Sequence, residues 1–175
     1  MKQKVLFIAL AALLTAACGP NREERINQIE EFEDSVFESA SVADPATADQ
    51  LAEMYVAFAD KYPSDSLAPI YLLKAGEVMS NTQHTDDAVA LFDRIVNDYP
   101  DFEEVPTCLF LKGNAYEMNA QYDEAREAYQ EYLDRYPDHL FSDQVRLMMP
   151  RLGMTPEEML ADILAHANDS IIAQD

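Results

Sequence analysis

The sequence predicts an all-α protein made of stacked helix pairs, and three observations predict it. The dipeptide Tyr-Pro occurs at Tyr62-Pro63, Tyr99-Pro100 and Tyr136-Pro137, 37 residues apart each time. At the same shift the chain overlays on itself without a gap: Pro69 falls on Pro106, Leu72 on Leu109, Gly76 on Gly113, Asp87-Ala88 on Glu124-Ala125, Phe92 on Tyr129 and Val96 on Leu133. Within each unit the apolar residues recur at intervals of three and four, the period of a one-sided helix, and no segment alternates with the period of two that marks a half-buried strand. Self-similarity of this length is the signature of a stacked repeat, in which each unit buries its apolar face against its neighbours.

The chain opens MKQKVLFIALAALLTAAC. Lys2 and Lys4 precede an apolar run from Val5 to Ala12, and Leu13 to Ala17 lead to Cys18. This is the three-part pattern of a secretory signal, too short for a span of ~20 residues. The end, Leu14-Thr15-Ala16-Ala17-Cys18, resembles a bacterial lipobox, with small residues before the cysteine and Thr15 where leucine is commoner. The expectation is a signal peptide over 1–17, acyl chains on Cys18 that anchor the protein to a membrane, and a charged tether over 18–25. Gly19, where aspartate would favour inner-membrane retention, points to outer-membrane sorting, and Glu23-Glu24 leaves the leaflet open.

The first pair is expected from Ile26, Ile29, Phe32, Val36 and Phe37 in one helix and about Thr47 to Tyr62 in the next. In the last pair, Leu109, Phe110, Gly113, Tyr116 and Ala120 form one periodic run. Asn119-Ala120-Gln121 forms a turn, and Tyr122, Ala125, Tyr129, Tyr132, Leu133 and Tyr136 form the second run. Each proline stops a second helix at one place, because it lacks an N–H and disfavours helix at the preceding residue. The tyrosine before it can lay its ring over the last turn. The Ser or Asp after each pair is a reasonable start for the next helix. Downstream, a helix is expected from Phe141-Ser142-Asp143 through Met149, stopped by Pro150. A second follows from Thr155-Pro156-Glu157-Glu158, where threonine caps and glutamate returns the bond. Met159, Ile163 and Leu164 share a face of it, and residues 140–175 are expected to cap the array.

The segment PTCLFLKGNAYEMNAQYDEAREAYQEYLDRYPDH, 106–139, resembles a tetratricopeptide repeat. Gly113 and Tyr116 stand where that family has its first-helix Gly and Tyr, Ala125 where the helices cross, Tyr129 in the large aromatic slot and Pro137 at the close. The unit from Pro69 to Phe102 keeps Gly76, Ala88, Phe92 and Pro100, with Met79 for the Tyr. The first unit is degenerate, with Ser39 for the Gly and Leu51 for the Ala. The resemblance implies a right-handed superhelical solenoid of three such pairs over 26–139, with Gly113 and Ala125 at the crossing and Tyr129 and Phe92 between one unit and the next. It also implies a concave partner groove at Ile70, Leu73, Glu77, Ser80 and Asn81, then Thr107, Phe110, Asn114, Glu117 and Met118. Leu73 and Phe110 are open to a second reading as core. The basic residues that clamp a partner's C-terminal carboxylate in some members are absent. The Tyr-Pro-rich dialect is similar to repeats of bacterial envelope lipoproteins, such as that of the outer-membrane barrel assembly machine, and of the periplasmic Tol–Pal coordinator.

Composition narrows the function. The chain has 12 basic and 33 acidic residues; losing 1–17 removes two lysines and no acid, leaving 10 against 33, a net −23. Nucleic acid and anionic headgroups need basic contacts, so such a surface repels both. Four unclustered glycines offer no phosphate loop. With Cys18 acylated, Cys108 has no disulfide partner, and its neighbours Leu109, Phe110 and Leu111 mark it as a buried hydrophobe. His84, His139 and His166 lack a second ligand at metal spacing. No nucleophile has a recognisable base beside it. No cofactor is expected. The leading reading is a non-catalytic adaptor, anchored through Cys18, that holds another envelope protein or peptide segment. The alternative is an accessory glycan- or nutrient-capture lipoprotein beside an outer-membrane transporter.

Overall fold

A computed structural model describes residues 19–38 and 44–172. Among them all regular structure is helical. The helices are α1 (Arg22–Glu38), α2 (Pro45–Lys61), α3 (Leu67–Asn81), α4 (Thr85–Asp98), α5 (Val105–Met118), α6 (Tyr122–Arg135), α7 (Ser142–Met148) and α8 (Pro156–Ile172), with a 3-10 turn at Met149–Arg151 between the last two. The chain divides into two compact units, one through Tyr71 and one from Leu72, so the boundary falls inside α3.

In the first unit α1 packs on α2. The helix starts at Arg22, where the sequence reading placed a tether and began the helix at Ile26. The reason is a reciprocal cap: the Glu24 N–H donates to Asn21 Oδ1 and the Asn21 N–H to Glu24 Oε2, both at 3.0 Å. Two donors that a helix start leaves unpaired are thereby satisfied. Arg22 pairs with Asp65, and Lys61 Nζ donates to the Pro20 carbonyl, which ties this end of the chain to α2 and the turn after it. Asp44 caps α2 by accepting from the Ala46 N–H and the Thr47 hydroxyl. Ile29, Val36, Tyr55, Phe58 and Tyr71 fill the core, with the Tyr71 ring stacked on Tyr55 at 5.3 Å and edge-on to Phe58 at 4.9 Å. Leu51 is buried at the place the family gives to alanine, while Ser39 lies outside the described residues.

In the second unit α4 packs on α5, α5 on α6 and α6 on α7. Gly76 and Gly113 do not merely permit two axes to cross. A Cβ on Gly113 would lie 2.5 Å from the Tyr129 ring, and one on Gly76 2.5 Å from the Phe92 ring. Each glycine is the seat of the aromatic from the second helix of its own pair, a contact within the unit that adds to the expected place of these rings between one unit and the next; Tyr129 shares a core cluster with Val145 of the following helix. Phe92 and Tyr129 are both fully buried. Lys112 Nζ donates to Asp93 of α4 at 2.7 Å and lies 3.9 Å from Glu131 of α6, linking two successive second helices through the first helix between them.

The repeat extends to backbone bonds. α3 and α5 end in the same closure. The His84 N–H donates to the Met79 carbonyl and Gln83 to Ser80; 37 residues on, Gln121 donates to Tyr116 and Ala120 to Glu117. This is the Schellman pattern, whose pivot usually is glycine. Here the pivots are Gln83 at φ 65° and Ala120 at φ 57°. The Tyr-Pro sites are equally uniform. Tyr62, Tyr99 and Tyr136 end their helices with φ of −128°, −130° and −136°. The carbonyls of Tyr62, Tyr99 and Tyr136 then accept from Asp65, Phe102 and His139, and the carbonyls of those residues from Ala68, Val105 and Ser142. Two consecutive turns therefore separate each proline from the next helix, and the Ser or Asp directly after it caps nothing. The Tyr62 ring does fold back, 5.0 Å from Phe58, and Tyr136 lies 6.3 Å from Tyr132.

This register also accounts for α7. Ala68, Val105 and Ser142 are equivalent and buried, as are Tyr71, Cys108 and Val145. The helix is the start of a fourth first-helix, and it ends at Met148 because Pro150 stands 37 residues after Gly113. Pro150 sits inside the 3-10 turn, which continues the chain past the expected stop. The Thr155 cap is present as read: its N–H donates to Glu158 Oε2 at 2.8 Å and its hydroxyl oxygen accepts from the Glu158 N–H at 3.3 Å. Yet α8 does not bury the face assigned to it. Met159, Ile163 and Leu164 are all exposed, so as a cap it covers little.

Two predictions follow from this packing. Gly113→Ala should destabilise the protein by about 1–3 kcal/mol despite the better helix propensity of alanine, because the fully buried Tyr129 ring has nowhere to move. Gln130→Leu, on the exposed side of α6, should stay within about 0.5 kcal/mol; thermal melts of both variants test the pair. Asp65 is held below the ordinary carboxylate range, first by the Arg22 hydrogen bond and then by the Leu67 N–H. A depressed acid adds stability above its unfolded pKa and loses it as pH falls through the folded value. Asp65→Asn should therefore cost up to about 1 kcal/mol at neutral pH, and its deficit should shrink below about pH 4 as wild type loses the same pair. A deficit constant across that acid range counts against the assignment.

Candidate partner-binding surface

The residues assigned to a groove come from the first helices, and their fates diverge. Ile70, on the first-unit part of α3, is exposed. On the remainder of α3, Leu73 is half-buried and Glu77 and Asn81 are exposed, in line with helical spacing that keeps 73, 77 and 81 on one stripe.

Phe110 is different. It is 9% exposed and sits in a core cluster with Leu109, Ala125, Tyr129, Tyr132 and Val145. Its ring stacks on Phe141 at 4.4 Å and approaches Tyr132 edge-on at 6.2 Å. It belongs to the core and offers almost nothing to a partner. The ring that covers it, Phe141, comes from the turn before α7, and no residue of the recognised unit hinted at that contact.

Asn114 and Glu117 are half-buried, and Glu117 is engaged within the unit. Glu117 Oε2 accepts from the Tyr129 hydroxyl at 2.8 Å. Burial, and then the Glu117 hydrogen bond, push the Tyr129 phenol far above its usual range. The hydroxyl of this fully buried ring is thus satisfied at the edge of the surface that Asn114 and Glu117 line. Phe92, its counterpart, has no such polar tip.

Met118 is 58% exposed. It lies with Asn114, Glu117 and Tyr122 at the rim of a concave pocket of about 740 Å³, whose far wall is Leu147 and Met148 of α7, Leu152 and Met154 after it, and Met159 of α8. Sequence reasoning missed this wall. Its signal was present: carried one repeat further, the 37-residue shift places Leu147 on Phe110.

Chemistry other than binding finds little footing. The Cys108 thiol is fully buried, and burial first, with Glu104 and Glu77 adding to it, pushes its pKa up to about 12, which leaves no thiolate at neutral pH. His139 Nδ1 lies 2.9 Å from the Tyr132 hydroxyl, which accepts from the Phe141 N–H at 3.2 Å, so this histidine holds the turn into α7. Among the described residues no three His, Cys, Asp or Glu side chains converge as metal ligands. No helix among them is long and apolar enough to cross a membrane. Cys18 and the whole expected signal lie outside the described residues.

Two segments match the tetratricopeptide repeat family, residues 71–101 and 107–139. They coincide with the pairs α3–α4 and α5–α6, and with the Gly76–Phe92 and Gly113–Tyr129 seats. Repeats of this family generally mediate contacts between proteins. The first pair, α1–α2, falls outside the matched residues. No curated protein matches the chain.

The divergence between Leu73 and Phe110 is measurable. Phe110→Ala should cost about 3–5 kcal/mol in chemical denaturation, as expected for a buried aromatic. Leu73→Ala, which is half-exposed, should cost about 1–2 kcal/mol. Equal costs would place the two side chains in equivalent environments and contradict the stacking on Phe141.

Proposed function

We propose that the protein is a non-catalytic adaptor, anchored by lipid at the bacterial outer membrane, that holds another envelope protein through its helical repeats. The observation that carries the adaptor reading is the pair of consecutive units matched to the tetratricopeptide repeat, each closed by an aromatic ring on a glycine seat. A scaffold of this kind presents side chains of successive first helices at fixed spacing, and a peptide or helix with matching anchors can lie across them.

The membrane reading rests on the first twenty residues: two lysines, an apolar run, small residues and Cys18. Three acyl chains would hold far more firmly than one, at ~0.8 kcal/mol per buried methylene. Gly19 after the cysteine favours the outer membrane, and the periplasmic face is the simpler placement. Glycan capture is less favoured, because the chain has no tryptophan to stack on a sugar ring, and the pocket beside Met118 sets four methionines and two leucines among Asn114, Glu117, Gln144 and Arg151.

Replacing Cys18 tests the anchor. Cys18→Ala should abolish palmitate labelling and shift the protein from the membrane fraction to the soluble fraction, while the melting temperature of the soluble part stays unchanged. A wild-type chain that takes up no palmitate in a lipoprotein-processing host contradicts the anchored reading.

A further inference from the structure

The apolar face of α8 has no cover among the described residues of its own unit. Leu160, Ile163 and Leu164 are 58%, 49% and 56% exposed, at the spacing that places them on one side of a helix. Met159 continues this stripe into the pocket that Met118 and Leu147 also line. Leu147 is itself 67% exposed, since the fourth repeat stops at Pro150 before a second helix packs on α7. Single exposed leucines need no explanation, but a continuous stripe that runs into a concave pocket does. Thioethers suit such a surface, because methionine adapts its shape to varied apolar side chains.

Charge decides among the occupants. Over its described side chains α8 carries Glu157, Glu158 and Asp162 and no lysine or arginine. The one arginine at its side, Arg151, is already committed to Asp162 at 2.8 Å and to the Leu147 carbonyl. A second copy would set acidic edges against acidic edges on chains of net charge −21, and an anionic membrane would be repelled in the same way.

We propose that the stripe of α8 and the methionine-lined pocket together receive an amphipathic helix of a partner protein, apolar on one face and rich in lysine or arginine along its edges. The proposal rests on the adaptor reading and names the chemistry of the partner. Apolar burial holds the helix in place, and the acidic edge selects it and speeds its encounter.

The test uses the soluble chain from Gly19 onward and two synthetic helices with the same leucine face, one with lysine edges and one with glutamate edges, followed by fluorescence anisotropy. The lysine helix should bind, more weakly as salt rises, and the glutamate helix should not. The double variant Ile163→Ser, Leu164→Ser keeps every charge and should weaken binding about tenfold or more. If that variant binds the lysine helix as tightly as wild type, the attraction is charge alone and the site is overturned. Dimerisation in sedimentation equilibrium that the serine variant abolishes gives the stripe to a second copy and overturns it as well. Photo-crosslinkers at Leu164 and at Glu77 of the anchored protein in cells separate this proposal from the reading beneath it. Crosslinks from Glu77 alone leave an adaptor and overturn the α8 site; crosslinks from neither position overturn both.

Discussion

The second unit depends on one close approach: the aromatic ring of a second helix seated on a first helix where a glycine leaves room. At Gly113 and at Gly76 a single methyl group would fall within 2.5 Å of the ring. This contact sets how near the two helices of a pair can come. It thereby fixes where Ala88 and Ala125 are pressed out of solvent, and where the Tyr129 hydroxyl emerges to meet Glu117. Protein interiors are packed densely enough that a change of one methyl is felt. The Lys112 bridges and the Schellman closures hold an arrangement whose spacing this contact has already set.

Much of the fold is legible in the sequence because punctuation and pattern agree. Proline after tyrosine terminates a helix whatever surrounds it, so three such pairs at constant spacing locate the ends of three second helices. What escaped the reading was chemistry that leaves no usual residue behind. The pivots of the Schellman closures are Gln83 and Ala120, so no glycine marks the left-handed turn. The start of α1 is hidden because Asn21 and Glu24 look like part of a charged tether until their bonds are seen to be reciprocal. The turn after each proline is longer than the Ser or Asp beside it suggests, because the backbone makes two turns before the next helix begins.

The candidate surface was less legible than the fold, for a physical reason. A helix position predicts which side a residue faces, but not what the next element brings over that side. Leu73 and Phe110 are equivalent in the repeat, yet Phe141, which stacks on Phe110, has Glu104 as its counterpart one repeat earlier. Glu117 has the spacing of an open groove residue and serves the Tyr129 hydroxyl as well. Met118 becomes part of a pocket only because α7 and α8 supply its far wall. Each outcome depends on an element other than the helix that carries the position.

Pro150 has a meaning for the length of the array. Repeat proteins grow by copying a unit, and each copy must present to the next what it received from the one before. Ser142 and Val145 still do so, occupying the places of Val105 and Cys108. At the third such place the proline substitutes for the glycine seat, and Asp162 falls where Ala88 and Ala125 stood. A buried crossing tolerates neither an interrupted hydrogen-bond ladder nor a carboxylate. Copying therefore halts at a defined residue. The tract beyond it, released from matching a successor, is free to diverge in sequence while the register behind it stays intact.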